Sequence, residues 1–187
     1  FNQAGSNSMQ DVYAKILKPD GTVAKDEFLV NQFAAYNQRA PKVSGLTNGG
    51  FVVVWVSEQE RNLAPNLGTN STDFTSSPIY YGVNTTATPS VDIYARIYDG
   101  FGAAQGNEFL VNTDPNPCTS PEVTGVSDGG FMVAWSERNM AALTNGWDIY
   151  ARPFSAANTG GAVTVVNFHN YGDQFNPRIS SIGLDCL

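Results

Sequence analysis

Internal repetition constrains this chain more than any other feature. DVYAKI at 11–16 returns as DIYARI at 92–97 and as DIYARP at 148–153. EFLVN at 27–31 returns unchanged at 108–112 and more loosely as VTVVN at 163–167. PKVSGL from Pro41 returns as PEVTGV from Pro121 and PRISSI from Pro177, and GGFVVVW at 49–55 returns as GGFMVAW at 129–135. Elements that recur in a fixed order mark one supersecondary unit used several times, and such a unit buries its core by stacking on its neighbours.

The spacing is uneven for one local reason. Equivalent tyrosines lie 81 residues apart from Tyr13 to Tyr94 and 56 apart from Tyr94 to Tyr150. Trp55 and Asp92 are separated by 37 positions where Trp135 and Asp148 are separated by 13, which places an insertion of 24 residues before Asp92. The expected organisation is a single β-repeat domain over 1–187. It comprises a half unit at 1–39, a unit at 40–119 with its insert at 58–90, a unit at 120–175, and the start of another at 176–187. Phe1 falls just after the position where a FVVVW strand would finish, and Leu187 aligns with Phe51 and Phe131. The expectation is a piece of a longer chain. Subunits that complete one another's sheets, or an unusual sandwich of the same hairpins, are the alternatives.

Each recurring element reads as a strand. In DIYARIY, Ile93, Ala95 and Ile97 alternate with Tyr94, Arg96 and Tyr98, the period of two of a strand with two different faces. The unbroken apolar run FVVVW predicts a strand buried on both sides. Asn48-Gly49-Gly50 and Asp128-Gly129-Gly130 supply positive-φ residues for a tight hairpin, and Asp20-Gly21 and Asp99-Gly100 are read the same way. Pro41, Pro121 and Pro177 are each expected to open a strand. The fold class is therefore all-β: repeated four-stranded antiparallel meanders, β-propeller-like, as a partial propeller or an open array. Trp55 and Trp135 are expected between adjacent sheets. The 18 glycines, 10 prolines, 11 phenylalanines and 8 tyrosines agree with short strands and many turns.

The GGFVVVW, DIYAR and EFLVN segments resemble the blade-type repeat of large secreted and cell-surface β-propeller-like proteins of bacteria and some protists. The resemblance covers nearly the whole chain apart from the insert. It implies an extracellular or cell-surface, often adhesive or structural, multi-repeat protein, sometimes found beside calcium-binding repeats. Two departures stand out: the long insert, and Gly183-Leu184-Asp185-Cys186 where a Gly-Gly hairpin belongs.

Charge and composition narrow the partners. Seventeen acidic and ten basic residues give a net charge of −7, which repels phosphate backbones and anionic lipid surfaces. No apolar run approaches the roughly 18 residues that span a bilayer. Asn70-Ser71-Thr72 and Asn84-Thr85-Thr86 are glycosylation sequons in one Ser/Thr-rich stretch, the expected mark of an exposed loop in a secreted protein. Cys118 and Cys186 fit either one disulfide or two buried thiols.

The residues predict no catalytic constellation. The single histidine, His169, has no HxxxH or CxxC companion and reads as a loop residue. Glu27 and Glu108 recur at one position of the repeat, which favours a structural or edge-solubilising role over acid–base work. Asp11, Asp92 and Asp148 recur just before their strands and read as turn caps, with calcium coordination, at Asp92 and Asp148 above all, as the sharper alternative. The expected function is a non-catalytic structural or adhesive module that assembles with other copies or neighbouring repeats. The runner-up is a glycan-binding propeller lectin, in which Tyr80, Tyr81 and Trp147 would stack on sugar rings.

Overall fold

A computed structural model describes residues 8–34, 36–58, 91–139, 146–169, 171–182 and 185–186. Among these residues the chain is all-β, with no helix. The short strands β1 (Ser8–Gln10), β2 (Tyr13–Leu17) and β3 (Val23–Leu29) are followed by β4 (Tyr36–Gly45), β5 (Phe51–Ser57), β6 (Asp92–Tyr98) and β7 (Phe109–Leu110). The same succession returns as β8 (Cys118–Gly125), β9 (Phe131–Arg138), β10 (Trp147–Phe154) and β11 (Thr164–Val165), and a last hairpin pairs β12 (Ser181–Ile182) with β13 (Asp185–Cys186).

The strands form a five-stranded sheet, β1-β4-β5-β6-β7, a four-stranded sheet, β11-β10-β9-β8, and the separate hairpins β2-β3 and β12-β13. Pairing is antiparallel except where β1 runs parallel to β4. The sheets do not close on one another among the described residues.

Equivalent residues take equivalent registers. Phe51 pairs with Tyr98, Val53 with Arg96 and Trp55 with Tyr94; in the next sheet Phe131 pairs with Phe154, Val133 with Arg152 and Trp135 with Tyr150. The turns that set this register also match. Gly49 and Gly129 adopt φ of 83° and 92°, and the amides of Gly50 and Gly130 donate to the side chains of Asn48 (2.9 Å) and Asp128 (2.8 Å). A Cβ on Gly50 or Gly130 would meet the carbonyl oxygen of Tyr98 or Phe154 at 2.4 or 2.3 Å, so both positions require glycine. The turns after β2 and β6 differ: Gly21 carries the positive φ in the first, but Gly102, not Gly100, carries it in the second.

The prolines do not open strands. Pro41 and Pro121 lie inside β4 and β8, each at a break in register, after Arg39 in one strand and after Thr119 in the other. The residue before each proline, Ala40 or Ser120, sits at φ of 53° or 52°, and Asn176 before Pro177 repeats the feature at 54°. A bulge tolerates proline because the extra residue is not called on for a ladder hydrogen bond. Its effect is visible in the core: Cys118 and Val123, five residues apart, join the same apolar cluster, which a regular two-residue alternation would forbid.

Strand β5 is buried on both faces, as its sequence predicts. Val52, Val54 and Val56 pack with Ile93 against Val123, Val133 and Trp135 of the four-stranded sheet. Val53 and Trp55 point the other way and pack with Tyr94 and Tyr98 against Val12 and Val30 of the first hairpin. Burying each such valine stabilises the fold by about 1.5–3 kcal/mol. The indole N–H groups of Trp55 and Trp135 find different acceptors. Trp55 donates to Gln38 Oε1 (3.2 Å), whereas Cys118 stands at the position of Gln38 in the next unit and Trp135 donates to Glu137 Oε2 (2.8 Å) instead.

The last hairpin departs from the pattern. Ser181 pairs with Cys186, where the matching residues Gly45 and Gly125 pair with Phe51 and Phe131, so this connection is one residue shorter.

Candidate functional site

Among the described residues, several polar side chains bridge one unit and the next. The arginine of each DIYAR strand crosses that boundary. Arg96 donates through Nη1 to the carbonyl of Val30 (3.0 Å) and through Nε to that of Gly106 (3.0 Å). Arg152 repeats both bonds, to Val111 (2.7 Å) and Gly161 (2.9 Å). Each guanidinium also lies over a ring of its own strand, Tyr98 at 5.5 Å and Phe154 at 5.2 Å from the centroid. The planar fork of arginine suits this double task of bonding forwards and sideways while stacking.

An Asp–Asn latch fixes the acceptor strand. Asn31, Asn112 and Asn167 each donate from Nδ2 to the aspartate at the head of the neighbouring DVYAK or DIYAR segment, Asp11 (2.9 Å), Asp92 (2.8 Å) and Asp148 (2.7 Å). Through Oδ1 they accept the amides of Val12, Ile93 and Ile149, and through Nδ2 they also reach the carbonyl two residues on, at Phe33, Asp114 and His169. The recurring aspartates thus accept the side-chain amides of the latch asparagines, and in these bonds it is the asparagines that reach the backbone. Asp92 and Asp148 each turn Oδ1 to an asparagine amide, and no group of three or more His, Cys, Asp or Glu side chains converges among the described residues.

Carboxylates also make contacts between units. Glu108 accepts the amides of Gln32 (2.7 Å) and Phe33 (3.1 Å), while Glu27, its counterpart, is exposed. Glu122 takes Lys42 on one side and Arg178 on the other, both at 2.7 Å, so equivalent positions of three successive units form a row of alternating sign.

Several sequence expectations change at this point. Trp147 is not available for sugar stacking: it is 2% exposed and packs on Phe175 at 4.8 Å. Cys118 and Cys186 are free thiols and form no disulfide. Cys118 is fully buried, its thiol donating to Asn116 O (3.3 Å) and Glu137 Oε2 (3.6 Å). Burial first, then the neighbouring Glu137 carboxylate, pushes that thiol well above its ordinary pKa, the opposite of a reactive cysteine. Burial likewise raises Glu137, although the bonds from Trp135 and Asn116 oppose the shift. Tyr150 is pushed up to about 12, by burial and then by Glu137 and Asp148. Glu58, taken as the first residue of an exposed insert, is buried against Asn37 (3.1 Å) with Arg39 at 3.8 Å, so exposure does not begin there. Asn70, Tyr80, Tyr81 and Asn84 lie outside the described residues. His169 is an exposed loop residue.

The residues that sequence reasoning missed are Arg96, Arg152 and the three latch asparagines. Their recurrence was visible in the sequence, but the carbonyls that the arginines reach across the boundary lie 66 and 41 residues away, and the partner-strand groups that the asparagines bond lie 18 to 20 away. No protein-family model and no curated protein matches this chain.

Proposed function

We propose that this chain is a non-catalytic, extracellular structural or adhesive module that works by protein–protein assembly, its units stacking in the manner of propeller blades or an open array. The observation that carries this reading is the repeated arginine clasp. Arg96 to Val30 and Arg152 to Val111 use the same atoms at two successive boundaries, and a boundary that is repeated can be extended. The row Lys42, Glu122, Arg178 supports the reading with a second device of the same period. Function then lies in the interface between units and copies, and glycosylation at Asn70 or Asn84 would keep the insert at the surface of a secreted assembly.

The test is the native state of the protein. Electron microscopy and light scattering of unfractionated material, with intact-mass analysis, should find a multimer or a longer chain carrying sugar. A discrete, unmodified monomer of this chain would overturn the assignment and make a glycan array the next experiment.

A further inference from the structure

The turns after β2, β4, β6 and β8 share one local device, a side-chain oxygen that accepts the amide two residues on. Asp20 Oδ1 takes the amide of Thr22 (2.9 Å), Asn48 Oδ1 that of Gly50 (2.9 Å), Asp99 Oδ1 that of Phe101 (2.9 Å) and Asp128 Oδ1 that of Gly130 (2.8 Å). A glycine follows the accepting residue in each turn. The accepting group is a carboxylate after β2, β6 and β8 and an amide after β4.

That amide stands beside its own nucleophile. In an Asn-Gly pair the nitrogen of the following residue can close an imide ring on the side-chain carbon Cγ, and glycine has no Cβ to crowd the approach. The turn folds the Asn48 carbonyl back along the main chain, and the bond it accepts from Gly50 N–H draws electron density away from Cγ. Thr47, Asn48 and Gly49 are all exposed to water. The Gly49 N–H donates to the carbonyl of Leu46 (3.0 Å), so ring closure waits on the opening of that one bond at a hairpin tip, where local opening is least costly.

We infer that Asn48 is a site of spontaneous deamidation, and that the aspartate it yields keeps the turn. Gly49 N, having lost its proton, bonds to Asn48 Cγ; the Cγ–Nδ2 bond breaks, and Nδ2 leaves as ammonia after taking up a proton. Water then opens the imide. Opening at Cγ gives aspartate, whose fit is already displayed at the equivalent turn: Asp128 makes the same bond to Gly130, and Gly49 and Gly129 share a positive φ of 83° and 92°. Opening at the main-chain carbonyl gives isoaspartate, which routes the chain through Cβ and lengthens the turn just where Gly50 lies tight against the Tyr98 carbonyl. The aspartate product is therefore the one the hairpin accommodates. The inference holds whether or not the chain assembles.

The test is peptide mapping of the whole 187-residue chain, held folded at mildly alkaline pH. The peptide that carries Asn48 is expected to gain the mass difference between amide and acid. It should do so at least about tenfold faster than the peptide carrying Asn112, which is buried and bonded to Asp92 and Ile93. Asn48→Ser keeps a side-chain acceptor in the turn and should abolish the change at that peptide. Asn48→Asp should fold and unfold at the wild-type urea midpoint. An Asn48 that stays intact in the folded chain while the same residue converts in urea would mean that the Leu46 bond seals the turn, and it overturns the inference. A clearly lowered midpoint for Asn48→Asp overturns the claim that the product keeps the turn.

Discussion

Arg152 reaches out of its own strand to place Nη1 2.7 Å from the carbonyl oxygen of Val111, a bond across 41 residues of sequence and between two sheets. Lysine can supply the charge but neither the fork nor the stacking plane. Arg152→Lys should therefore destabilise the protein by about 1 kcal/mol and Arg152→Ala by about 2 kcal/mol. Urea unfolding checks this through a lowered midpoint at unchanged slope; equal stability of Lys and wild type would show that the fork is dispensable.

The latch asparagine should be harder to replace by a charge than by nothing. Asn112 is buried, donates to Asp92 and accepts from Ile93 N. Asn112→Ala is expected to cost about 1–3 kcal/mol through the groups it strands. Asn112→Asp sets two carboxylates face to face, so at pH 7 it should cost more than alanine, and the difference should shrink toward pH 4 as carboxyls take up protons. Thermal melts of both variants at the two pH values make the comparison.

Glu137 should make the protein less stable as pH rises. Its folded pKa is raised above 4.5, chiefly by burial, so in the window from 4.5 up to that raised value the folded chain holds a proton the unfolded chain has released. Stability from this group is complete below 4.5 and is lost through the window. Glu137→Gln leaves an acceptor for the Trp135 indole and should flatten that part of the curve. A melting temperature with the same pH slope in wild type and variant would contradict the assignment.

Thiol chemistry separates the two cysteines. Cys118 is sealed and its thiolate disfavoured, while Cys186 is half-buried. Under non-reducing conditions a thiol reagent should label Cys186 readily in the native protein and Cys118 only after denaturation, with peptide mapping to assign the labels. Failure to label either cysteine in denaturant would reveal the disulfide that the structure does not contain.

The fold was legible where a signal was local. Alternation identified DIYAR as a two-faced strand, the unbroken run identified FVVVW as a strand covered on both sides, and Gly49 and Gly129 announced their turns. What stayed hidden depended on the third dimension. Trp147 looked like a ring on offer because nothing in its neighbourhood of sequence names Phe175, 28 positions on, as its cover. Pro41 and Pro121 looked like strand openers because a bulge inside a strand leaves the same composition as a strand's first residue. Glu58 looked like loop because its polar partners, Asn37 and Arg39, come from the opposite side of a hairpin.

The bulge before each proline behaves like a punctuation mark in a reading frame of two. Upstream of Ser120 the even-numbered Cys118 is turned inward; downstream the odd-numbered Val123 is, and Glu122 is freed to meet Lys42 and Arg178. Deleting the one extra residue would shift the phase of everything beyond it, sending the ionic row toward the apolar seam and the valines toward water. A segment of this design can thus exchange most of its letters and keep its architecture, but it cannot lose a single one at that mark.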